Sequence, residues 1–146
     1  MKTMVLIVDD EEKFSQPLAE RLRLRDYYVT TSQTGEDAVN LVKKYNYDVV
    51  VLDVLMPGMG GVETLREIKK IKPLTEIIML TGHATVETAI EGMKLGATDF
   101  LMKPCETEDL VSKIQKAHDR KAEHEERIRE AKARDIIASP RSVLKK

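Results

Sequence analysis

Residues 48–58 read Asp48-Val49-Val50-Val51-Leu52-Asp53-Val54-Leu55-Met56-Pro57-Gly58, and this stretch decides the fold. A strand with one wet face alternates apolar and polar residues, whereas an unbroken branched run such as Val49 to Leu52 belongs to a strand covered on both faces. Residues 48–52 are therefore expected to form a buried strand, with Asp53 at its close and a turn at Pro57-Gly58. Strands buried on both faces are characteristic of parallel sheets, and parallel neighbours need a crossover, usually a helix.

In both directions along the chain the same pattern recurs. The runs Met4–Val8, Tyr27–Thr31, Glu76–Leu80 and Thr98–Met102 are bounded by turn residues and bring the candidate strands to five. Between them apolar residues fall at helical spacing, as in Phe14, Leu18, Leu22 and in Leu110, Ile114, Ala117. Thr34, Gly35, Glu36 and Asp37 form a capping box ahead of the second helix, and Pro73 and Gly96 stand where the third and fourth should end. Five βα units make a doubly wound α/β domain with a five-stranded parallel sheet, for which we expect strand order 2-1-3-4-5. Ligands of such sheets collect outside the carboxyl ends of the strands.

Composition narrows the partners. The 146 residues are 42% hydrophobic, with 24 Lys+Arg against 25 Asp+Glu, so no whole-protein field favours nucleic acid or an anionic membrane. The apolar runs are too short to span a bilayer, no cleavable signal pattern follows Met1, and the single Cys105 cannot form an internal disulfide. A cytoplasmic protein without direct nucleic-acid or membrane contact is expected. Charge is uneven along the chain: residues 118–146 carry nine basic and six acidic side chains, against 15 and 19 before them. This places a boundary near residue 118, with a folded domain over 1–117 and a charged helical extension over 118–146.

The carboxyl ends of the strands carry Asp9 and Asp10, Asp53, Thr81, and Lys103 with Pro104. Singly each has a bland reading, such as acidic residues at a helix N-terminus or a hydroxyl in a turn. Jointly they crowd one rim. Carboxylates about 4 Å apart repel by roughly 4 kcal/mol per pair at an effective dielectric of 20. One lysine offsets a single charge, and a hard divalent cation with oxygen ligands, Mg²⁺ above all, relieves the rest. Such an ion shares its positions with phosphate oxygens, so the chemistry indicated is phosphoryl transfer to a carboxylate. In that scheme Asp53 is the nucleophile, Asp9 and Asp10 are metal ligands with Asp53 and the Leu55 carbonyl, and Thr81 supplies a hydroxyl donor.

These residues resemble the receiver domain of bacterial two-component response regulators over about residues 3–117. Val5-Leu6-Ile7-Val8-Asp9-Asp10-Glu11 looks like the receiver opening, Asp53-Val54-Leu55-Met56-Pro57-Gly58-Met59 like its phosphoacceptor loop, and Phe100-Leu101-Met102-Lys103-Pro104 like its closing signature. Thr81 to Pro104 is most similar to receivers of the nitrogen-regulator type. The resemblance implies a flavodoxin-like fold and a phosphoacceptor, not an enzyme: Asp53 takes a phosphoryl group from a sensor histidine kinase or phosphotransfer protein, with Mg²⁺. It implies that Thr81 and Lys103 contact that group, and that the Lys103-Pro104 bond is cis. It further implies a switch through Thr81 and Phe100, read by a downstream protein on the face of the fourth helix, fifth strand and fifth helix. Phe100 lacks the hydroxyl of the tyrosine often found there, so its part must be played by packing. Cys105 stands where phenylalanine is common and reads as a small structural hydrophobe. Leu55 and His83 flank the site without an acid or amide to orient water, so a long-lived phosphoryl group is expected.

Beyond Ala117 the fifth helix is expected to run on to Ile137, with Ser139-Pro140 ending it before a basic, mobile terminus. A heptad seam through Ile114, Ala117, Ile128 and Ala131 is broken by Lys121, His124 and Asp135, so a solvated helix leads and a homodimer or kinase-docking helix follows. His118 and His124 read as solvated. A stand-alone receiver is ranked first and the receiver fragment of a larger transcriptional regulator second. A phosphatase acting through an aspartyl phosphate is third, because such enzymes offer Asp-x-Asp on one strand whereas here the adjacent Asp9-Asp10 and Asp53 come from different strands.

Overall fold

The computed structural model describes residues 2–82 and 85–138. Five strands, β1 (Met4–Val8), β2 (Tyr28–Ser32), β3 (Val49–Asp53), β4 (Glu76–Thr81) and β5 (Asp99–Met102), alternate with five helices. These are α1 (Glu12–Arg23), α2 (Gly35–Lys44), α3 (Gly61–Ile71), α4 (Val86–Lys94) and α5 (Thr107–Ala138). All strand pairs are parallel, and the order is β2-β1-β3-β4-β5, the doubly wound arrangement expected.

Period-two geometry splits the strand residues between two cores. Leu6, Val8, Val50, Leu52, Ile77 and Met79 pack under α2, α3 and α4, against Ala38, Val42, Leu65, Ile68 and Ala89. Val5, Ile7, Val49, Val51, Ile78 and Leu80 face the other way, onto Leu18, Leu22, Leu110, Ile114 and Ala117 of α1 and α5. Every residue of β3 is buried, which accounts for the missing alternation in its sequence.

Differences from the sequence reading are small and local. β2 and β3 each start and end one residue later than expected, because Tyr28 and Val49 take their register from Met4 and Val5 of β1. At the head of α2 the Thr34 hydroxyl accepts from the Asp37 N–H at 3.1 Å, but the Asp37 carboxylate turns to the Ser32 hydroxyl at 2.9 Å, so the box is half made. Gly96, with φ +112°, closes α4. Gly61 opens α3 against the backbone, where an added Cβ would lie 2.6 Å from the Asp53 carbonyl oxygen.

α5 runs for 32 residues, about 48 Å at 1.5 Å per residue. Past Ala117 two ion pairs still hold it to the domain, Arg120 to Glu76 at 3.5 Å and Lys121 to Asp48 at 3.4 Å. Residues 126–136 are then exposed throughout, Ile128 and Ile136 included, as for a solvated helix. Ser139-Pro140 and the basic terminus lie outside the described residues. Among the described residues no helix is long and apolar enough to cross a membrane.

Candidate functional site

Two parallel strands end together and deliver the acidic cluster. β1 hands over to Asp9 and Asp10, and β3 ends on Asp53, with the β1–β3 register of Val8 opposite Leu52 setting the two ends level. Asp9, Asp10 and Asp53 each present a carboxylate oxygen, all within 4.8 Å of one another. Asp9 is buried, its Oδ1 accepting from the Glu11 N–H at 2.9 Å and its Oδ2 from Lys103 Nζ at 2.7 Å. Asp10 is exposed and Asp53 is 6% exposed, so the cluster has one wet edge and two dry members.

Lys103 arrives from the other side of the sheet. Its backbone N–H donates to the Thr81 carbonyl at 2.8 Å just beyond β5, and the Lys103-Pro104 bond is cis, as the resemblance implied. The ammonium lies 2.7 Å from Asp9, 3.6 Å from Asp53 and 3.9 Å from Glu11. Burial works to lower its pKa, yet the hydrogen bond to Asp9 and the charges of Asp53, Asp9 and Glu11 outweigh burial and raise it. The Asp53 pKa also rises, which here disfavours the charged form: burial and the neighbouring Asp9 charge push its carboxyl up to about 6, against the opposing pull of Lys103 and the Leu55 N–H. One lysine thus leaves the cluster short of positive charge, which is the condition for cation binding.

The donor set fits a hard divalent cation. All three side chains offer oxygen, one is exposed, and each oxygen of an ionised carboxylate keeps a lone pair after accepting one hydrogen bond, as both oxygens of Asp9 do. An open depression of about 220 Å³, lined by Glu11, Asp53, Leu55, Gly82, Thr85 and Lys103, admits a small ligand to Asp53.

Thr81 sits at the end of β4, buried, and its hydroxyl donates to the Gly82 carbonyl at 3.0 Å and pairs with the Thr85 hydroxyl. Among the described residues no carboxylate is a hydrogen-bond partner of the Thr81 hydroxyl, which is engaged by Gly82 and Thr85, and Thr85 lines the opening. Phe100 is half-buried and packs on the α2/α3/α4 core, opposite Met79 of β4. His83 lies outside the described residues.

Sequence reasoning missed three neighbours. Glu11 was read as a helix N-terminal charge, yet it reaches the Lys103 ammonium. Thr85 was unread, and only its four-residue spacing from Thr81 hinted that the two hydroxyls meet on one loop. Phe14 was read as a core position of α1, whereas its ring also faces Lys103 Nζ at 4.3 Å from the centroid.

Fold and site together define a doubly wound domain with a carboxylate cluster and a lysine at the carboxyl edge of its sheet. Residues 5–115 match the response regulator receiver domain, and the chain belongs to that family, whose function is to accept a phosphoryl group in signalling. It is 35% identical over 116 residues to the uncharacterized transcriptional regulatory protein YkoG of Bacillus subtilis, covering 80% of this chain and 51% of that protein. A receiver domain protein from Clostridium thermocellum superposes with TM-score 0.79 at 35% identity, over 82% of this chain and 97% of that one. The receiver domain of NtrX from Brucella abortus does so with TM-score 0.76 at 29% identity, over 79% and 98%, in keeping with the nitrogen-regulator likeness. The chain spans about half the length of the curated relatives it matches.

Proposed function

We propose that Asp53 is the phosphoacceptor of this receiver and that a histidine kinase or phosphotransfer protein supplies the phosphoryl group. The observation that carries this reading is the position of the Asp53 carboxylate: nearly buried, 3.6 Å from the Lys103 ammonium, within 4.8 Å of two further carboxylates, and open on one side to a small depression. A carboxylate oxygen of Asp53 attacks phosphorus while the bond from phosphorus to the donor's nitrogen or oxygen breaks. The electron pair leaves with the donor. Lys103 offers N–H donors to the transferring oxygens, and Thr81 or its partner Thr85 offers a hydroxyl once the pair of hydroxyls separates.

Asp9, Asp10, Asp53 and the Leu55 carbonyl would hold Mg²⁺, which supplies positive charge to the phosphoryl oxygens when bound. Aspartyl phosphate replaces a single charge by one of about −1.5 to −2 with extra acceptor oxygens. That change favours drawing Thr81 off the Gly82 carbonyl and repacking Phe100, so that the α4–β5–α5 face is altered for a downstream protein. In this reading residues 1–117 are the receiver unit and 118–146 a charged helical extension. The protein works in the cytoplasm as a phosphoacceptor and not as an enzyme on other substrates.

The test is intact-protein mass after incubation with acetyl phosphate, with and without Mg²⁺, on wild type and Asp53→Ala. One phosphate per chain is expected, dependent on the metal and absent in Asp53→Ala. A wild type that gains no phosphate while binding Mg²⁺ would overturn the reading, and rapid turnover of varied phosphoesters would move it to a phosphatase.

A further inference from the structure

We propose that Phe14 is a positioning residue for phosphoryl transfer, its ring face holding the Lys103 ammonium over the carboxylate cluster; this rests on the phosphoacceptor reading of Asp53. The observation is the stack itself. Lys103 Nζ lies 4.3 Å from the Phe14 ring centroid, inside the range at which a cation is attracted by the ring quadrupole.

An ammonium carries three N–H donors on a flexible four-carbon stem. Asp9 takes one at 2.7 Å, and Asp53 and Glu11 stand at 3.6 and 3.9 Å as competing further partners. Glu11 is 69% exposed, so a lysine drawn to it would swing toward solvent and away from Asp53. An aromatic face supplies attraction without directional hydrogen bonding and takes no donor from the carboxylates. It therefore holds the charge while leaving the N–H groups free for oxygen partners, first carboxylate and then phosphoryl.

The placement follows from the fold. Phe14 lies in the first turn of α1, directly after the Asp9-Asp10 turn, and is half-buried against the α1/α5 core. That core and the carboxyl edge of the sheet thus share one ring. Leu at this position would fill similar space but present no π face.

Two measurements test the role. The first is independent of phosphate: in metal-free protein the Lys103 ε-methylene protons are expected upfield of ordinary lysines by ring current, and at ordinary shifts in Phe14→Leu. The second is the rate constant for phosphorylation by acetyl phosphate with mono-, di- and trifluorinated phenylalanine at position 14. Fluorine withdraws electron density from the ring face without removing apolar bulk. The logarithm of the rate should fall linearly with each fluorine, the rate itself by about tenfold over the series, with Phe14→Leu slowed similarly and Phe14→Tyr within about twofold of wild type. A rate indifferent to fluorination, an increase, or a Lys103 ε-methylene without upfield shift would overturn the proposal while leaving Asp53 as phosphoacceptor. A wild type that accepts no phosphate but shows the upfield shift would remove the phosphoacceptor reading, and the positioning role with it, although the stack itself exists.

Discussion

Asp53 is a carboxylate that the native fold holds at a cost. Its pKa stands at about 6, above the ordinary 3.8, because burial and Asp9 disfavour the charged form. Between those two values the folded protein binds more protons than the unfolded one, so stability falls as pH rises through the window. Without metal, up to about 3 kcal/mol is lost from pH 4 to above pH 6, by the free energy that each tenfold change in proton affinity represents. Asp53→Ala is expected to remove that slope and to raise the melting temperature in chelator at neutral pH by several degrees. Thermal melts across pH check both, and an unchanged or lowered melting temperature would contradict the repulsion. Cys105 points the same way about burial: its thiol is pushed up chiefly by desolvation and then by Asp109, as befits a packing residue more than a reactive thiolate. Exposed Leu55, beside the Asp53 carboxylate, offers no group to orient water. The phosphorylated protein should therefore decay over minutes or longer in Mg²⁺ buffer, and a half-life of seconds by intact mass would refute this.

Among the elements, the α3 N-terminus and the strand ends do most to place the chemistry. Gly61 lets α3 begin against the Asp53 and Val54 backbone, where any Cβ would intrude on main-chain atoms that cannot swing aside. Gly61→Ala should cost about 1–3 kcal/mol in urea unfolding and slow phosphorylation by displacing the loop after Asp53. Little or no loss of stability would mean that the loop yields readily. β3, β4 and the apolar faces of α1 to α5 were readable because hydrophobic periodicity is a local property of the chain. The one-residue displacement of β2 and β3 was not, since pairing with β1 sets register. Asp37 shows the same limit: its spacing from Thr34 suited a reciprocal cap, but the Ser32 hydroxyl, brought near by the end of β2, won its carboxylate.

Over the whole molecule, charge links the body to the middle of α5, at Arg120 and Lys121. Glu76 is buried, hydrogen-bonded by the Thr98 hydroxyl and paired with Arg120, while Asp48 receives both Lys121 and the Met4 N–H. Truncation after Glu125 removes only exposed residues among those described and should leave the melting temperature within about a degree. Truncation after Ala117 takes away Arg120 and Lys121 and leaves the buried Glu76 carboxylate with the Thr98 hydroxyl but without its Arg120 partner, so a loss of about 1–3 kcal/mol is expected. Equal stability of the two truncations would instead place the functional end of the domain at residue 117.

The fold class and the identity of the rim residues were written in the sequence, because they depend on hydrophobic period and on which residues follow each buried run; the strand order 2-1-3-4-5 was an expectation chosen among doubly wound folds, and the strand pairing bears it out. Asp9, Asp10, Asp53, Thr81 and Lys103 were found this way without coordinates. Only the tertiary structure decided how they meet: Lys103 on Asp9 more closely than on Asp53, Thr81 turned to Gly82 and Thr85, and Phe14 over the ammonium. The physical reason is separation along the chain. Phe14 and Lys103 belong to opposite ends of the domain, and no local pattern encodes an ammonium's choice among three carboxylates and a ring; that choice is made by distance and burial after the sheet has closed.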